Sequence, residues 1–92
     1  MISEIEAIIQ QALPDSTAYV RDPRKDGQHF EAIVISPTFA GLSLVKQHQL
    51  VMKPLKEAFV TNVHALGLKT FTPDSWDQNK DKFQYFIKGS DR

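Results

Sequence analysis

Apolar and polar positions along the chain follow two different periods, and the places where the period changes mark its elements. Ile5, Ile8, Ile9, Ala12 and Leu13 fall at i, i+3, i+4, i+7 and i+8, one stripe of an amphipathic helix. Ser3 and Glu6 give the S-x-x-E spacing of a capping box at the start of the stripe, and Pro14-Asp15 closes it. From Thr17 to Arg21 the residues are β-prone. Asp22-Pro23 and Asp26-Gly27 then supply turn chemistry, and His29 to Ile35, rich in Ile, Val and Phe, reads as a second strand. The polar loop between the two, Arg24 to Gln28, is expected to be mobile.

Ser36-Pro37-Thr38 stops the second strand, and Phe39-Ala40-Gly41 is a short connector. Ser43 caps a second helix running through Leu44, Val45, His48 and Val51. Pro54 lacks an N–H and clashes with the preceding turn of a helix. The expectation is therefore a break before it, with Pro54 in the first turn of a third helix carrying Leu55, Ala58 and Phe59. Thr61-Asn62 ends that helix, and Val63 to Phe71 reads as a third strand with apolar residues on both faces. Thr72-Pro73-Asp74 combines a cap, a first-turn proline and an acid facing the helix dipole, so a short helix bearing Trp76 should follow. In the tail from Asn79, Phe83, Tyr85, Phe86 and Ile87 either dock on the body or form a small extra strand.

The order is helix, strand, strand, helix, helix, strand, helix: an α+β domain, α-β-β-α-α-β(-α), with a three-stranded mixed sheet and helices packed on it. The long helical crossover between the second and third strands favours their parallel pairing. At 92 residues the chain has room for one domain, over residues 1–78, with 79–92 as a C-terminal tail, docked or partly disordered.

Composition narrows the function. Eleven Lys and Arg balance eleven Asp and Glu, which lowers the prior for a dedicated nucleic-acid binder. With no cysteine, the chain can offer neither disulfides nor thiolate ligands of its own. The acidic start Met-Ile-Ser-Glu-Ile-Glu does not resemble a secretory signal, and no apolar run is long enough to span a bilayer, so a cytoplasmic protein without a membrane role is expected. G-x-S-x-G, a glycine-rich phosphate loop and H-E-x-x-H are all missing, which argues for binding over catalysis.

Three histidines remain as candidates. His48 shares a helical face with Leu44 and Val51 and reads as a packed residue at the core edge. His29 and His64 each open a strand. If those strands are parallel neighbours, both lie at one end of the sheet; otherwise they are unrelated surface residues. Two imidazoles do not complete a soft-metal site, so an iron–sulfur cluster here would take its thiolates from another molecule, with the mixed His and Cys ligation of Rieske centres. Lys46, Lys53, Lys56 and Lys69 read either as a solvated surface or as a nucleic-acid face, and a break at Pro54 would give a helix–turn–helix-like outline.

Two stretches resemble the BolA family. One is Phe39-Ala40-Gly41-Leu42-Ser43-Leu44-Val45-Lys46-Gln47-His48-Gln49 followed by Pro54-Leu55. The other is Val63-His64-Ala65-Leu66-Gly67-Leu68-Lys69-Thr70-Phe71-Thr72-Pro73 with Trp76 close behind. Gly27-Gln28-His29-Phe30 is similar to the family's variable loop entering the second strand. The resemblance covers residues 1–78 and implies a fold similar to a type II KH domain, although the chain has no G-x-x-G loop for clamping nucleic acid. It also implies pairing with a monothiol glutaredoxin and a shared [2Fe–2S] cluster, with His64 and His29 as this chain's ligands and the partner cysteine and glutathione supplying the thiolates. Cofactor would then be held only in the complex, and the free protein would be a monomer or weak homodimer. DNA-binding regulation of stress response or morphology is the alternative that the family implies.

Overall fold

The computed structural model describes residues 2–27, 29–58 and 65–89. Helix α1 spans Ile2–Ala12 and buries Ile5 and Ile9. Because Ile2 is already helical, Ser3 lies inside the first turn and not at the cap position that its spacing to Glu6 predicts. Leu13 N–H donates to the Ile9 carbonyl at 2.8 Å, and Ser16 N–H to the Leu13 carbonyl at 2.9 Å, which turns the chain into the sheet.

Strands β1 (Thr17–Arg21) and β2 (His29–Ile35) occupy the residues that the pattern predicts. They pair antiparallel from Thr17↔Ile35 to Arg21↔Glu31. Strand β3 (Ala65–Phe71) lies on the other side of β2 and runs parallel to it, from His29↔Ala65 to Ile35↔Phe71. Among the described residues the sheet therefore has three strands in the order β1-β2-β3. The parallel pair is the one that the helical crossover requires.

As the central strand, β2 buries side chains on both faces. Phe30, Ala32 and Val34 join Ile5, Ile9, Leu13, Val20, Phe39, Val51 and Leu55 in one core beneath the helices α1 and α2. Ile33 and Ile35 join Phe86 in a second core on the opposite face, flanked by Tyr19, Phe71, Trp76 and Phe83.

Helix α2 spans Leu44–Ala58 without interruption, with Pro54 inside it. The break expected at Pro54 does not occur, and the helix–turn–helix-like outline that depended on it goes with the break. The proline removes one donor, to the carbonyl of Leu50 one turn earlier, and Leu50 lies on an exposed face where solvent can serve that carbonyl. Val51 and Leu55 flank the proline and are buried against the sheet, so tertiary packing holds the helix through it. Ser43 caps the start of α2, its Oγ accepting from Lys46 N–H at 3.3 Å.

Between β2 and α2, Ser36 caps a 3-10 turn over Pro37–Phe39 and drives Phe39 fully into the first core. Gly41 then takes φ +79°, a conformation that favours glycine, and turns the chain toward α2. After β3, the Thr72 side chain accepts from Ser75 N–H at 3.2 Å and starts helix α3, Pro73–Asn79, where the Thr-Pro-Asp signal predicts it. A 3-10 turn (Lys80–Phe83) and helix α4 (Gln84–Gly89) follow, and these lay Phe83 and Phe86 on the second face of the sheet. The tail thus docks as helix and not as an added strand.

Candidate ligand rim at the start of the parallel strands

The loop from β1 to β2 is organised by two aspartates. Asp22 accepts from Gly27 N–H at 2.8 Å and from Asp26 N–H at 3.3 Å through its two carboxylate oxygens. Gly27 sits at φ +70°, and the reversal it allows brings His29 back over Asp26. Asp26 Oδ1 accepts from His29 N–H at 3.1 Å, and Asp26 Oδ2 lies 2.9 Å from His29 Nδ1. Side-chain hydrogen bonds from Asp22 and Asp26 thus cross the described part of this loop. His29 opens β2 with its side chain 40% exposed and one ring nitrogen engaged.

Across the parallel ladder, the residue that pairs with His29 is Ala65, which follows His64 in the chain. His64 itself lies outside the described residues, as do Phe59, Thr61, Asn62 and Val63, which figured in the helix and strand readings. His48 is half-buried on α2, one helical turn before Val51 and Met52.

The four candidate lysines do not share a surface. Lys46, Lys53 and Lys56 are exposed along α2. Lys46 and Lys53 border one shallow hollow with Leu50 and Pro54, and Lys53 and Lys56 border another with Met52. Lys69 is on the other side of the sheet. Its strand neighbours Leu66 and Leu68 pack into the first core and Thr70 reaches α2, so alternation turns Lys69 toward the hollow lined by Glu31, Tyr85 and Phe86.

Among the described residues no group of three or more His, Cys, Asp or Glu is placed to hold a metal ion. A site closed by these residues alone is therefore not formed. His29 presents a half-exposed imidazole whose Nδ1 lies beside a carboxylate, an arrangement that metal-bound histidines commonly have.

The residues that sequence reasoning missed are Asp22, Asp26 and Gln47. Both aspartates were legible as turn formers, but their grip on the histidine depends on how the loop closes. Gln47 donates to the carbonyls of Phe39 at 3.3 Å and Leu42 at 3.0 Å and accepts from Thr70 Oγ1 at 2.6 Å. It thereby ties the turn before α2 to β3.

A family model described as BolA-like protein matches residues 6–75. The acid stress protein IbaG of Escherichia coli is 34% identical over 79 residues, covering 85% of this chain and 90% of that protein. The solved structure of a bolA protein homologue from Coxiella burnetii is 36% identical with a TM-score of 0.68, covering 84% of this chain and 96% of its own. The DNA-binding transcriptional regulator BolA of Vibrio cholerae is 39% identical over 56 residues, 61% of this chain and 53% of that protein. No helix among the described residues is long and apolar enough to cross a membrane.

Proposed function

This chain belongs to the BolA-like protein family, and from that premise we propose that it is a cytoplasmic binding module, not an enzyme, that pairs with a monothiol glutaredoxin and shares a [2Fe–2S] cluster with it. His29 and His64 are this chain's ligands, and the role is iron–sulfur trafficking or iron- and redox-responsive regulation. The observation that carries the reading is the register of the parallel pair, in which His29 lies opposite the residue that follows His64. With no cysteine among the 92 residues, the thiolates must come from the glutaredoxin and glutathione. Imidazole in place of thiolate lowers the charge around the irons and raises their potential, as in Rieske centres. This chain's own contribution is to hold a half-exposed His29 at a strand start with Nδ1 beside Asp26.

The test is a titration with a monothiol glutaredoxin, glutathione, iron and sulfide, followed by visible circular dichroism. A new heterodimer spectrum is expected, altered in His29→Ala and in His64→Ala. An unchanged spectrum in both variants removes the ligand assignment.

A second reading, DNA-binding regulation, is favoured by the name of the Vibrio cholerae relative and by the three lysines exposed on α2. Replacing Lys46, Lys53 and Lys56 together by Ala separates the two: it abolishes retention on DNA under the second reading and leaves the glutaredoxin spectrum intact under the first.

A further inference from the structure

We propose that Asp26 is a positioning residue for His29: it biases the neutral imidazole toward the Nδ1–H tautomer, so that Nε2 carries the lone pair in most molecules before any partner arrives. This rests on the ligand reading above only for what Nε2 would be used for; the tautomer assignment stands by itself.

Both carboxylate oxygens of Asp26 meet His29, Oδ1 accepting from its backbone N–H at 3.1 Å and Oδ2 lying 2.9 Å from Nδ1. The first bond fixes where β2 begins, and the second fixes how the ring stands on it. Asp26 does not swing freely while doing this. Its own N–H is held by Asp22, whose other oxygen holds Gly27 N–H. The result is a relay of two acids across a β-turn, ending on an imidazole.

An ionised carboxylate only accepts hydrogen bonds. To donate to it, a neutral imidazole places its proton on Nδ1, which leaves Nε2 unprotonated. In water a neutral histidine side chain favours the opposite form, with the proton on Nε2. The carboxylate also makes Nε2 a stronger donor, the effect known for carboxylate–histidine pairs behind metal ligands. The pair is half in water, with side chains 40% and 36% exposed. Solvent therefore screens the interaction, and its effect should be a bias and not an absolute lock.

A rival account makes Asp26 a turn former only, its approach to the ring incidental. The two differ in what happens to the ring when the turn is kept. Long-range proton–nitrogen NMR of the imidazoles, on the full metal-free chain at alkaline pH where imidazoles are neutral, reads the tautomer of each histidine directly. His29 should be mainly Nδ1–H in the wild type. Asp26→Ala should move its tautomer ratio about tenfold toward Nε2–H, the lower range of what a hydrogen bond to a charged acceptor supplies. Asp26→Asn keeps an oxygen for the backbone N–H while losing the charge. It should shift the ratio in the same direction with the amide signals of Phe30 to Ile35 unmoved. His48, on α2, is the internal control and should not change. A wild-type His29 already in the Nε2–H form overturns the proposal, as does an Asp26→Asn ratio equal to wild type with the turn intact.

A glutaredoxin titration of the same variants keeps the two readings apart. Second-shell carboxylates commonly carry about 10- to 100-fold in metal-site affinity. A loss of that size in Asp26→Ala supports positioning for ligation. A clear tautomer change with no loss of affinity leaves the positioning in place and shows that the tautomer does not limit complex formation, while His29→Ala still decides whether His29 is a ligand.

Discussion

The side-chain amide of Gln47 makes three hydrogen bonds to three separate parts of the chain: the carbonyls of Phe39 and Leu42 and the hydroxyl of Thr70. Its donor and acceptor roles are all assigned, since the amide nitrogen gives both of its hydrogens and the oxygen takes one. Gln47→Leu, close in size, would leave three partly buried polar groups without this partner. Each unmade bond costs roughly 1–3 kcal/mol when water cannot replace it, and partial exposure lowers that. A loss of about 2 kcal/mol is expected in urea unfolding, against about 1 kcal/mol for Thr70→Val, which removes one bond. Equal losses in the two variants would mean that the bonds to the turn contribute nothing. The asymmetry between Gln47 and His48, adjacent on α2, shows what can be read from type and spacing. Periodicity puts His48 near the core edge and is silent on Gln47, which only the closure of residues 39–42 over the helix makes a tie.

At the scale of elements, local signals held where packing agreed with them and yielded where it did not. The bounds of β1 and β2 and the start of α3 were legible because β-branched runs, Asp-Gly turns and a Thr-Pro-Asp cap each point to one conformation. Pro54 was misleading because its cost is local and finite, while Val51 and Leu55 on either side are buried in the first core. The candidate site was half legible. Alternation and the crossover place His29 at a parallel strand start, whereas the Asp22–Asp26 relay depends on a left-handed Gly27 that a residue pattern does not specify. A continuous α2 carries its own prediction. If Pro54 sits in a helix interior, Pro54→Ala restores a donor to the Leu50 carbonyl and should stabilise the protein by roughly 1–2 kcal/mol, since an interior proline costs about 3 kcal/mol and its rigidity in the unfolded chain returns part of that. If Pro54 instead began a new helix, the same change would be neutral or destabilising. Thermal unfolding with the helical signal at 222 nm distinguishes the two.

Considered whole, the described residues form a three-stranded sheet with a core on each face, and the two cores are closed by different helices. Helices α1 and α2 cover one face; α3 and the tail after it cover the other. The second core is small and aromatic. Trp76 stacks on Tyr19 and Phe83 with ring centroids 6.0 and 5.9 Å apart, and Phe71 meets Phe83 at 5.6 Å. Phe86 is only 4% exposed. The Arg21 guanidinium lies 4.8 Å from the Phe86 ring while its Nε pairs with Glu31 at 2.7 Å. Arg21, Glu31 and Gly67 form one rung across the three strands, two residues along β2 from His29. The tail thus closes the sheet close to the end where the loop begins. For a domain whose net stability is only about 5–15 kcal/mol, that closure matters. Phe86→Ala should cost about 3 kcal/mol through lost burial and the cavity left behind. A chain ending at Asn79 should lose at least as much, and the fluorescence of Trp76 in its folded state should shift to the red as Phe83 no longer covers it. The same truncation should leave the first core folded, so the circular dichroism of α1 and α2 persists at low temperature. An unshifted Trp76 emission with an unchanged unfolding midpoint would mean that residues 80–89 add nothing to the fold, and the second core would have to be credited to the sheet and α3 alone.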